Sequence, residues 1–98
     1  MRLIETEMLE AIKHGRDWSK DNTRVEIDTS YSTYLADVYL HDHLIATVWC
    51  CMGWEDDVRV NVPTLRNWPT RTTMSRLRAL GVDVCTRKGE VLLNGEVI

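Results

Sequence analysis

The chain has 98 residues, 44% of them apolar and 28% charged, with a formal net charge of −3. That balance is ordinary for one globular domain and argues against a disordered chain. A domain of this size buries only about two thirds of its unfolded surface, which leaves little room for a deep catalytic cavity.

Ile4, Met8, Leu9 and Ile12 recur at helical spacing, with glutamates early and Lys13-His14 late, so the sequence predicts a helix over about residues 3–14 capped by Gly15. Arg16 to Asn22 reads as a polar turn. Thr23 to Asp28 alternates strictly, as a half-buried strand does, and Tyr31 to Thr33 belongs to the next turn. Tyr34–His41 and Leu44–Cys50 are two strands joined at Asp42-His43, residue types that tolerate the positive φ of a tight hairpin. A fourth strand, Val58–Val62, follows a Met52–Asp56 turn. Pro63 and Pro69 bound a loop, Thr64–Trp68. Thr72 or Thr73 then caps a short helix, Met74–Leu80, which Gly81 closes. Val82–Arg87 and Glu90–Leu93 form a last hairpin around Lys88-Gly89, and Asn94-Gly95 is a further turn signal. The order α-β-β-β-β-α-β-β predicts a single α+β domain over residues 1–98, with an antiparallel sheet of about five or six strands.

No run approaches the ~20 apolar residues of a membrane span, and three glutamates in the first ten residues are wrong for a secretory signal. The cysteines are Cys50, Cys51 and Cys85, an odd number without spaced pairs, which fits reduced thiols in a cytoplasm. Charge is uneven along the chain. Residues 1–62 hold six Lys/Arg against twelve Asp/Glu, and residues 63–98 hold six against three.

Val38-Tyr39-Leu40-His41-Asp42-His43-Leu44-Ile45-Ala46 resembles the V-Y-L-H-G-N-x-I-A segment of a family of small tailed-bacteriophage proteins. Asn67-Trp68-Pro69-Thr70-Arg71-Thr72-Thr73-Met74-Ser75-Arg76-Leu77-Arg78-Ala79-Leu80 resembles its G-W-x-T-x-T-T-x-S-R-L-N-A-L segment. The likeness runs in order through most of the chain. It departs at Asp42-His43, Asn67 and Arg78, and in the Cys- and Trp-rich stretch from Trp49 to Asp57. The resemblance implies a phage origin, action in the cytoplasm of a host bacterium and a shared fold. It supplies no catalytic residues.

The residues themselves suggest binding surfaces rather than chemistry. His41 and His43, two apart, could supply half of a metal site, but no ligand-rich motif surrounds them, and forming the turn is their simpler role. Cys51 or Cys85 beside a histidine could be a nucleophile, yet no third group or oxyanion site accompanies them. The glycines are scattered and form no phosphate loop. We therefore expect no enzyme, metal or cofactor.

Trp54 and Trp68 fall in expected loops, and Trp and Arg are the residue types enriched at interface hot spots. Trp54-Glu55-Asp56-Asp57 forms one candidate partner surface, and Trp68 with Arg71, Arg76 and Arg78 forms another. The expected role is a phage-encoded, non-enzymatic protein that binds a host protein or complex. Inhibition of an anti-phage defence component, such as a CRISPR effector, is the specific form expected. The alternative is a small nucleic-acid-binding regulator using the arginines of residues 66–88, against which the pI of about 5.5 counts. No membrane partner is expected, and an edge strand leaves a homodimer open.

Overall fold

The computed structural model describes residues 2–29, 34–50 and 57–98. It opens with α1 (Leu3–Lys13), which ends as expected at Gly15. Gly15 has φ +61, its N–H donates to Ile12 O, and Arg16 N–H donates to Ala11 O. These two bonds satisfy carbonyls that the last helical turn leaves open. The Tyr34 ring lies 3.2 Å from where a Cβ on Gly15 would stand, and its hydroxyl donates to Ile12 O at 2.7 Å. Glycine is needed here both for its backbone conformation and for this close approach.

Five antiparallel strands follow in sequence order: β1 (Trp18–Lys20), β2 (Thr23–Asp28), β3 (Tyr34–Leu40), β4 (His43–Cys50) and β5 (Asp57–Val60). Two short helices come next, α2 (Val62–Asn67) and α3 (Arg71–Ala79). The strands β6 (Val84–Arg87), β7 (Glu90–Leu93) and β8 (Glu96–Val97) form a separate three-stranded sheet. The fold is α+β, and the predicted elements occur in their predicted order, with β1, α2 and β8 in addition.

Several boundaries differ from expectation. Residues 16–22, expected as a turn, contain β1, which pairs with β2 across Asp21 at φ 54. The tight turn between β3 and β4 sits at His41-Asp42, both at positive φ, one residue before the expected Asp42-His43. The expected Thr64–Trp68 loop is mostly α2: Asn61 Oδ1 accepts the Thr64 N–H at 3.1 Å, and Pro63 sits in the first turn, where its missing N–H costs nothing. The cap of α3 is Thr70 rather than Thr72 or Thr73.

The core lies between the helices and one face of the five-stranded sheet. Met8 and Ile12 of α1, Leu65 of α2, and Met74 and Leu77 of α3 pack there. Val25, Val38, Ala46 and Val60 form one row of the sheet beneath them, and Ile27, Ala36, Val48 and Val58 form the next. The opposite face carries the rows Arg24-Tyr39-Leu44, Glu26-Asp37-Thr47-Arg59 and Asp28-Leu35-Trp49-Asp57.

A buried polar link ties the layers together. Glu5 of α1 accepts hydrogen bonds from Ser75 and, at 2.8 Å, from Arg76 Nη1, both on α3. Arg76 Nε donates to Thr23 Oγ1 of β2 at 3.1 Å. Burial alone would push the Glu5 carboxyl up, but its bonds to Ser75, Arg76 and the Arg2 N–H hold it below the usual range.

Candidate binding site

The residue pairing of β3 and β4 slips by one at Val38/Tyr39, so Ile45 is an extra, bulged residue in β4. Val48, Ala46 and Ile45 are all buried, although strict alternation would turn Ile45 outward. Beyond the bulge the phase is reversed: Leu44 faces the open side and His43, opposite Leu40, faces the helices. That shift brings His43 against Trp68, the residue that ends α2. Their rings stack with centroids 4.0 Å apart and planes inclined by 21°.

The stacked pair forms one wall of a cleft of about 310 Å³. Leu40 and Ile45 lie at its apolar base, and His41, Thr64, Thr70, Thr72 and Thr73 complete the lining. Trp68 keeps 45% of its surface exposed. The polar groups of the rim are partly engaged. Thr70 Oγ1 accepts the Thr73 N–H at 3.2 Å and shares a hydrogen bond with Thr73 Oγ1 at 3.0 Å, which caps α3. Asn22 Nδ2 lies 3.3 Å from His41 Nε2. The cleft can therefore receive an apolar or aromatic group, which Trp68 would flank and the threonine rim would orient.

The other candidate residues separate. Arg71 is exposed in the first turn of α3, beside the cleft. Arg78 is exposed on the same helix but donates its Nε to Val84 O at 2.9 Å, fastening α3 to β6. Arg76 is only 3% exposed and belongs to the buried link with Glu5, so it cannot reach a partner surface. Asp57 is exposed at the start of β5 and pairs with Arg59 at 3.1 Å. Trp54, Glu55, Asp56 and Cys51 lie outside the described residues. Among the described residues, no group of three potential ligands gathers around His41 and His43. Cys85 is half-buried with a free thiol.

Sequence reasoning placed His41 and His43 together only as turn residues or metal ligands. It missed the His43–Trp68 stack, because the bulge that reverses the phase of β4 is set by pairing with β3 and barely disturbs the local pattern. A consecutive Leu44-Ile45-Ala46 run was the one available hint.

No described helix is long and apolar enough to cross a membrane. No curated protein and no solved structure matches the chain. The family model for the Kyanoviridae Gp96 protein matches residues 1–97. With nearly its whole length matched, the chain belongs to the Kyanoviridae Gp96 protein family, a bacteriophage protein family.

Proposed function

We propose that this phage protein acts without catalysis, by binding a host protein through the cleft between His43, Trp68 and the N-terminal end of α3. The observation that carries this reading is the stacked and half-exposed Trp68 beside a cleft with an apolar base. A tryptophan held in place by a neighbouring ring loses little side-chain freedom on binding, which suits an interface anchor. The phage family supports a host macromolecule as the target, and a component of an anti-phage defence, such as a CRISPR effector, is the target whose blockade would serve a phage. The nucleic-acid reading is weaker, because Arg76 is interior and Arg78 is fastened to Val84, leaving Arg66, Arg71 and the distant Arg87 of β6 as its other exposed arginines.

Affinity capture from host-cell extract, comparing the native chain with Trp68→Ala, tests the proposal. A host protein retained by the native chain and lost with Trp68→Ala is the expected result. Equal retention by both removes the cleft from the interaction. Titration with labelled DNA and RNA at low salt tests the alternative: tight binding with a steep salt slope would replace the protein-binding reading.

A further inference from the structure

We propose that the face of the five-stranded sheet turned away from the helices is a second docking surface, fitted to an arginine- or lysine-bearing protein face. The proposal shares the premise that the chain works by binding protein, but it uses none of the residues of the Trp68 cleft.

The helices pack on the opposite side of the sheet, and four large apolar or aromatic residues remain on this one: Leu35, Tyr39, Leu44 and Trp49. Trp49 is 38% exposed. Such an aromatic and aliphatic set, on the face against which none of the described helices packs, is more than the scatter of single exposed apolar residues found on any surface.

Charge decides which partner fits. Five carboxylates, Glu26, Asp28, Asp37, Asp42 and Asp57, belong to this face or its hairpin rim, against two cations, Arg24 and Arg59. These described residues thus give the face a formal −3. Both cations are already engaged within the face. Arg24 lies 3.2 Å from Glu26, bonds Asp42 and sits over the Tyr39 ring at 4.3 Å from its centroid, while Arg59 pairs with Asp57. The Tyr39 phenol registers the local field: burial raises its pKa first, and the Asp37 and Glu26 carboxylates raise it further.

A nucleic-acid backbone would be repelled here, and a second copy would present the same excess of negative charge. A basic protein face meets both demands. Its cations would approach Glu26 and Asp37 and stack on Tyr39 or Trp49, as Arg24 already does on Tyr39.

The test uses the full chain, isotope-labelled for NMR, titrated with a short oligo-arginine peptide at low salt, with an oligo-glutamate peptide as the control. Shifts gathered at Tyr39, Leu44, Thr47 and Trp49 are expected. The pair Glu26→Gln with Asp37→Asn should weaken binding about fivefold, whereas Glu10→Gln with Glu90→Gln, which changes net charge equally elsewhere, should not. The proposal is overturned by shifts scattered over all acidic surfaces, by equal loss in both pairs, or by no binding. Trp68→Ala separates the two surfaces. Peptide binding should survive it, and loss there would assign the peptide to the cleft and remove the sheet face. A negative peptide result leaves the capture experiment with Trp68→Ala standing on its own.

Discussion

Arg71 and Arg76 stand five residues apart on the same short helix, yet they belong to different parts of the molecule. Five residues turn a helix through about 140° beyond a full circle, enough to carry one arginine from solvent to the interior. Arg71 is exposed beside the Trp68 cleft, whereas Arg76 is buried and bonded to Glu5 and Thr23. One face of α3 is thus a surface and the other carries an internal fastener. A block of Thr, Ser and Arg that reads as one motif along the chain divides, in space, into a structural half and an exposed half.

The sharpest way to break this contrast is to remove one partner of the fastener. Arg76→Met should leave the Glu5 carboxylate buried without its cation and cost about 3–5 kcal/mol of unfolding free energy, read from urea denaturation. The double change Glu5→Leu with Arg76→Met should restore most of the loss, since an apolar pair of similar volume carries no desolvation penalty. If the single change costs no more than Arg71→Ala, the proposed division of α3 fails.

Gly15→Ala comes next, because it forces a side chain into positive φ and against the Tyr34 ring; about 1–2 kcal/mol is expected. Thr70→Ala, which removes the cap of α3 at the mouth of the cleft, should cost about 1 kcal/mol.

The pH dependence isolates the fastener without deleting it. Glu5 is held below its ordinary value of 4.5, so the native carboxyl gives up its proton more readily than the unfolded one. Its contribution is therefore complete above that pH and is lost as pH falls through the lowered native value. Denaturation midpoints of the native chain should fall below pH 4.5 by more than those of the Glu5→Leu, Arg76→Met double variant. Parallel curves would assign the acid loss to other carboxylates.

The smallest effect belongs to the exposed half. Arg71→Ala should shift stability by no more than about 0.5 kcal/mol, so any change in partner capture would report binding rather than folding.

Much of the fold was legible locally. Ile4, Met8 and Ile12 marked α1, Gly15 and Gly81 marked the helix ends, and alternation marked β2 and β3. These features depend on backbone conformation and on which face of one element is apolar, and both are written within a few consecutive residues. The strand β1 was not legible: three residues with one apolar member become a strand only because β2 lies alongside to accept their hydrogen bonds. The helix α2 was hidden by Pro63 and Pro69, the first of which serves its first turn while the second lies beyond its end.

The candidate site was less legible than the fold. Trp68 and Arg71 stood out by residue type, but their setting depends on the bulge at Ile45, which turns His43 toward the helices. The sheet face turned away from the helices was equally invisible, because Leu35, Tyr39 and Trp49 look like core residues until the helices are seen on the other side. The sequence by itself determined a small α+β domain, the order of its main elements and its likeness to a phage family. Only the tertiary structure decided which arginine is interior, which ring stacks on Trp68 and which sheet face the helices cover. Those outcomes depend on helical phase, strand register and layer order, relations between segments far apart in the chain that no local pattern encodes.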